Sequence, residues 1–209
     1  MEGLVQTITV YAIPVLFAIT VHEAAHGYVA RLFGDNTAYA AGRVTLNPLK
    51  HIDPLGTIVV PLVMAVLSPF MFGWAKPVPV SFGQLRRPKR DMIWVAAAGP
   101  GSNLLMAILW LLFAKALVLS GVEERFFLMV AAVGIQVNLM LMALNLLPIP
   151  PLDGGRILVG ILPHRLAWQV ARIEPYGFVI LLVLLFTNTL GFFIQPFRWF
   201  GNTVLELFI

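Results

Sequence analysis

The chain has 209 residues, 59% of them hydrophobic and only 11% charged, with a mean hydropathy of +0.88, far from the quarter or so of charged residues usual in soluble domains. Composition therefore predicts an integral membrane protein, and the lack of any cysteine excludes disulfides and thiolate metal ligands, leaving His and carboxylate for any metal. The formal charge is +4, but the basic residues lie between apolar runs rather than along one face, so they read as a topology signal and no nucleic-acid partner is expected.

The first apolar run, Ile8 to Phe33, is long enough to span a hydrocarbon core of about 30 Å. A signal peptide fits it poorly, because residues 1–7 carry Glu2 and no Lys or Arg. Inside it stands His22-Glu23-Ala24-Ala25-His26. On a helix the two histidines share one face a turn apart, within reach of one Zn²⁺, with Glu23 beside them as a general base. Gly34-Asp35-Asn36 is a helix-stop cluster, and Tyr39 to Leu46 reads as a short strand or hairpin at the membrane surface.

Residues 55–72 are apolar but short, and are broken by Pro61 and Ser68-Pro69, so length leaves them between spanning and re-entrant. The stretch around Pro77 and Pro79 is extended, and the basic run Arg86-Arg87-Pro88-Lys89-Arg90 marks a loop at a membrane face that touches anionic lipid. Met92 to Leu119 is a second span. Its opening Ala96-Ala97-Ala98-Gly99-Pro100-Gly101-Ser102-Asn103 suits simple close packing on a neighbouring helix. A turn at 121–125 makes it the antiparallel neighbour of a third span, Phe126 to Leu147. Pro148, Pro150 and Pro151 must break that helix. Such a break at membrane depth is tolerated only where it lines a cavity or is buried in protein, which points to function. A mixed segment from Ile157 to Arg172 and a last span, Phe178 to Ile194, complete the chain. Trp74, Trp94, Trp168 and Trp199 sit near span ends, as interfacial anchors do.

Two histidines leave a metal site incomplete. Glu23 and Asp153 are the two acidic residues in strongly apolar sequence, so Asp153 is the natural third ligand. For all three to meet at one depth, the span ending near Asp153 must exit on the same face as the first, which requires 55–72 to dip in and return. That arrangement places eleven of the fourteen Lys and Arg on one side. It sets the metal site towards the cytoplasm and the N-terminus outside.

His22-Glu23-Ala24-Ala25-His26 in a membrane helix, followed downstream by Asn145-Leu-Leu-Pro-Ile-Pro-Pro-Leu-Asp153-Gly154-Gly155-Arg156, resembles the site-2 protease family of intramembrane zinc metalloproteases. Ala98-Gly99-Pro100, Gly42-Arg43-Val44-Thr45-Leu46-Asn47-Pro48 and Gly73-Trp74-Ala75-Lys76-Pro77-Val78-Pro79-Val80 look like its compact prokaryotic branch, over roughly residues 17 to 160. The resemblance implies one zinc per chain on His22, His26 and Asp153, Glu23 as catalytic base, and Asn145 assisting substrate or oxyanion binding. It also implies a prokaryotic inner-membrane location and a membrane protein or peptide as substrate. A PDZ domain, present in larger members, is not expected.

The expected architecture is therefore an all-α polytopic membrane protein of one domain, 1–209. It has about four full transmembrane helices, a re-entrant or half-buried segment at 55–72, and short surface β-strands. An extended substrate is expected to add as a strand near Tyr39–Leu46 or Val78–Phe82. Blander roles compete with several assignments: a helix N-cap for Asp153, a packing hydrogen bond for Asn145, and interfacial positions for His51 and His164. The rival functions are a non-proteolytic metal-binding membrane protein, such as a transporter or inactive relative, and a metal hydrolase acting on small or lipid substrates. Glu23 speaks against the first, since binding alone does not need it.

Overall fold

The computed structural model describes residues 2–60, 63, 75–122, 124–187 and 189–208. Every assigned element among them is helical: α1 (Glu2–Leu32), α2 (Thr37–Ala40), α3 (Pro88–Leu119), α4 (Arg125–Asn145), α5 (Asp153–Ile161), α6 (His164–Ala171), α7 (Gly177–Phe186) and α8 (Thr189–Phe208), with short 3₁₀ or π turns between some of them. Three stretches are long and apolar enough to cross a membrane among the described residues: Pro88–Leu119, Arg125–Asn145 and His164–Phe186. Of the four predicted spans, 92–119 and 126–147 fall on α3 and α4, the last is replaced by 164–186, and the first, 8–33, falls on α1, which is not among the three. The last predicted span, 178–194, is interrupted because α7 stops at Phe186. There the Thr187 hydroxyl donates back to Val183 O at 2.7 Å, and the chain restarts at Thr189. The predicted re-entrant segment 55–72 lies mostly outside the described residues, as does Trp74; its first residues belong to a π turn, Pro54–Val59, capped by Asp53 through Gly56 N at 2.7 Å.

The predicted surface strands are absent among the described residues. Tyr39–Leu46 has the β-branched and aromatic content of a strand, but its backbone bonds locally: Ala41 N to Thr37 O at 3.1 Å and Arg43 N to Ala38 O at 2.9 Å, around Gly42 at φ 63°. Val78–Phe82 begins extended, yet it pairs with no strand. Pro77 and Pro79 carry no N–H, and Val78 N and Ser81 N donate to carboxylates, of Glu23 at 2.7 Å and of Asp35 at 2.6 Å. Phe82–Gln84 then turns as a 3₁₀ helix.

Helix boundaries follow chemistry that the sequence carries. α1 ends where Gly34 takes φ 109° and Asp35 N reaches back to Ala30 O at 3.0 Å. α3 starts with Pro88 in its first turn, where a missing N–H costs nothing, and the Asp91 carboxylate reaches back to Arg87 N at 2.8 Å. α3 is the central element and packs on α1, α4 and α5, while α8 closes against α4. Close approach of α3 and α4 depends on Gly134, where any side chain would enter the Trp110 indole. The apolar core between them is Ala107, Ile135 and Leu139.

Asp35, fully buried just beyond α1, fastens this frame to the extended segment. Burial pushes its carboxyl upward, but hydrogen bonds from the Thr37 hydroxyl, Thr37 N and Ser81 N outweigh that and hold it below the usual carboxylate range. A carboxylate depressed in this way adds stability that is complete above the unfolded value of about 4 and is lost as pH falls through the folded value. We therefore expect thermal unfolding in detergent to drop more steeply below pH 4 in the parent than in Asp35→Asn. The substitution should cost about 1–3 kcal/mol near pH 7. Parallel melting curves for the two proteins across that range would refute the assignment.

Candidate metal centre

α1 presents His22 and His26 one turn apart, with their rings edge-on at 83° and centroids 4.7 Å apart. The break after α4 returns the chain to them. Ile149 N bonds Leu147 O at 2.8 Å and Leu152 N bonds Ile149 O at 2.9 Å. Gly154 and Gly155 then let the start of α5 lie directly on the backbone of residues 146–150, where a Cβ would collide. This fold-back delivers Asp153. Its Oδ2 stands 3.3 Å from each histidine Nε2, and the two Nε2 atoms are 3.0 Å apart. The N-cap of α5 is Leu152, and no side-chain capping bond is made, so Asp153 does not serve as a cap.

Hydrogen-bond direction decides what these atoms are. Asn138 Nδ2 donates to Gly134 O at 2.8 Å, which turns its Oδ1 towards Asn103. Asn103 Nδ2 donates to that oxygen at 2.9 Å and to Ala18 O at 3.3 Å, so its own Oδ1 faces His22 Nδ1 at 2.6 Å as an acceptor. His22 thus carries its proton on Nδ1. His26 Nδ1 likewise faces a pure acceptor, Val95 O, at 2.7 Å. Both Nε2 lone pairs and the Asp153 oxygen then converge with no proton among them in the neutral tautomers, and Asp153 Oδ2 is buried without a hydrogen-bond partner. Three acceptors so placed repel one another unless a cation lies between them. One nitrogen or oxygen from each residue, all within 4.8 Å of one another, suits zinc.

Glu23 lies beside this cluster with Oε2 accepting from Val78 N. Asn145 faces the same space, and its Nδ2 donates to Leu141 O at 3.0 Å. All five residues singled out in the sequence line one cavity of about 880 Å³, completed by apolar side chains such as Val15, Ile19, Leu144 and Leu181 and by Arg156. Arg156 stacks 5.3 Å over Phe82 and lies 4.0 Å from Glu174. Sequence reasoning passed over Asn103, Asn138, Gly99 and the Val78 amide. The two asparagines had a signal, as polar groups inside spanning helices. Gly99 stood in a close-packing stretch and in the Ala98-Gly99-Pro100 match, but its contact with the imidazoles appears only when α3 crosses α1. The floor of the site is Gly99, where a Cβ would strike both imidazoles.

Residues 10–187 match the model of peptidase family M50. The chain belongs to that family. It is 38% identical over 206 residues to the protein named Putative zinc metalloprotease YwhC of Bacillus subtilis (strain 168), a match covering 94% of this chain and 89% of the relative. It is 32% identical over 200 residues to Putative zinc metalloprotease Rip2 of Mycolicibacterium smegmatis, covering 92% and 70%. A Rip2 of Mycobacterium tuberculosis (strain H37Rv) is 31% identical over 193 residues, covering 92% and 70%. No solved structure matches the chain. This M50 member is a metalloprotease and a membrane protein, and its site holds a set of residues able to bind a metal ion.

Proposed function

We propose that the protein is an intramembrane zinc endopeptidase that hydrolyses peptide bonds in or near the transmembrane segments of membrane-protein substrates. The observation that carries this reading is the convergence of His22, His26 and Asp153 beside Glu23, in a cavity walled by long apolar helices. His22, His26 and Asp153 would hold one zinc, which supplies Lewis acidity, lowering the pKa of water towards about 7 and polarising the scissile carbonyl. Glu23 accepts the proton of the attacking water and delivers it to the leaving amine. The carboxylate can do this with one oxygen, because the other is engaged by Val78 N.

Asn145 uses one N–H on Leu141 O and has a second with which to hold a substrate carbonyl. Asn103 and Val95 O orient the two imidazoles and fix their tautomers, the usual office of partners behind metal-ligating histidines. If residues 55–72 dip in and return, eleven of the fourteen Lys and Arg fall on one side, which supports a site opening towards the cytoplasm of a prokaryotic inner membrane. The distribution has the further effect of holding Arg86–Arg90 at the anionic lipid surface.

The test is purification in detergent, zinc analysis, and cleavage of a synthetic transmembrane peptide by the parent and by Glu23→Gln. We expect zinc to be retained and cleavage to fall by about 10²–10⁴-fold, the contribution of a positioned general base. Cleavage that persists in Glu23→Gln would refute the mechanism. A parent that binds zinc but cleaves no membrane peptide would favour the non-proteolytic rival.

A further inference from the structure

Arg43 lies outside the cavity and contributes no ligand, yet it is buried, with 8% of its surface exposed. Its guanidinium donates to Lys76 O at 2.7 Å and to Pro77 O at 3.3 Å. On the same short segment Lys76 N donates to His51 O at 2.9 Å. His51 is itself 2% exposed and bonds Thr45 O through Nε2 at 3.0 Å. The residue that follows the two clamped carbonyls is Val78, whose N–H meets Glu23 Oε2 at 2.7 Å.

The next turn of α1 is shaped to receive this segment. Gly27 stands one turn beyond Glu23, and a Cβ there would lie 3.0 Å from both Val78 Cγ1 and Val44 Cγ2. Val78 therefore lies over the Glu23–Gly27 face of α1, while His22 and His26 occupy the adjoining face. Pro77 and Pro79 remove the flanking donors, so between residues 77 and 79 the Val78 amide is the one backbone donor. Burying an arginine against backbone carbonyls needs a compensating reason, since a glycine-rich turn could close this loop without desolvating a charge.

We infer that Arg43 is a positioning residue for Glu23: by clamping the carbonyls of Lys76 and Pro77 it holds the Val78 amide on one oxygen of the general base. The other oxygen is left to exchange the proton with water. This rests on the proteolytic role proposed for Glu23. Hydrogen bonding to a single oxygen fixes the carboxylate plane, and misplacement of a reacting group by about 1 Å costs on the order of 10²-fold in rate. Both bonds come from the one Nη2, and a lysine at 43 would keep the charge but end one bond short of that nitrogen.

The test uses the full chain in detergent with Arg43→Gln, Arg43→Lys and Glu23→Ala. Amide hydrogen exchange at Val78 reads the bond directly and needs no substrate. We expect protection in the parent and exchange about 10- to 100-fold faster in Glu23→Ala and Arg43→Gln, the loss of one hydrogen bond to a charged acceptor. Arg43→Lys should fall between. On the synthetic transmembrane peptide, Arg43→Gln should lower kcat about 10- to 100-fold, with KM within about twofold and zinc content equal to the parent. Lysine should restore part of the loss.

Unchanged Val78 exchange in both Arg43 variants, or an unchanged kcat in Arg43→Gln, would overturn the inference. Should Arg43→Gln fail to fold, Arg43→Lys together with Val78 exchange in Glu23→Ala decides the matter. Cleavage persisting in Glu23→Gln would sink the proposed mechanism instead, while the exchange data would still report on the clamp.

Discussion

Gly99→Ala is expected to yield a folded chain that retains no zinc and cleaves no detectable peptide. The added methyl would meet His26 Nε2, His22 Cε1 and His22 Nε2, all at distances real Cβ atoms do not tolerate. The rings have no retreat, because Asn103 holds His22 from behind and Val95 O holds His26. Relief must come from separating α3 from α1, at about 1–3 kcal/mol of overpacking, or from turning the imidazoles off the metal. Either outcome moves two ligands together, so activity should fall by more than the 10⁴-fold or so set by loss of a general base. Gly101 has open space at its Cβ position, and Gly101→Ala is the control that should keep zinc and activity. Elemental zinc analysis with the peptide assay reads both; a Gly99→Ala protein with full zinc and parental turnover would dispose of the packing model.

Asp153→Ala should show opposite signs with and without metal. Loss of the proposed third ligand ought to weaken zinc binding beyond the 10–100-fold or so lost with an outer partner of a ligand, and to abolish cleavage. In the zinc-free protein at a pH where both imidazoles are neutral, however, Asp153 Oδ2 is a buried acceptor with no donor, 3.3 Å from two further acceptors. Removing it relieves an unsatisfied buried charge. Zinc-free Asp153→Ala should therefore melt no lower than the zinc-free parent, whereas added zinc should raise the melting temperature of the parent alone. A lower melting temperature for the zinc-free variant would show that the carboxylate is structural.

The parts of this architecture legible in sequence were those governed by local chemistry. α3 and α4 were placed within a few residues by apolar runs bounded by Pro88, the Gly121 turn and the prolines after Asn145. The end of α1 was written in Gly34. The pairing of Asp153 with His22 and His26 followed from its being an acidic residue in strongly apolar sequence, although it lies 127 positions beyond His26.

What stayed hidden depends on which helices cross and where. Asn103 reads as one more small polar residue in a packing stretch until α3 lies against α1, 81 positions away. The stretches read as strands were misjudged for a related reason. Residue type favoured β structure, but Gly42 and the local turn bonds satisfied one, while two carboxylates from α1 and its end claimed the amides of the other. Tertiary acceptors overrode propensity there.

The amide chain from Gly134 O through Asn138 and Asn103 to His22 has a mechanical consequence. It threads α4, α3 and α1 on bonds of 2.6 to 2.9 Å, and a lateral slip of about an ångström in any of the three would break it. These helices must therefore travel as one body whenever the cavity widens. Leu181 of α7 lines the same cavity and stands outside this bonded set.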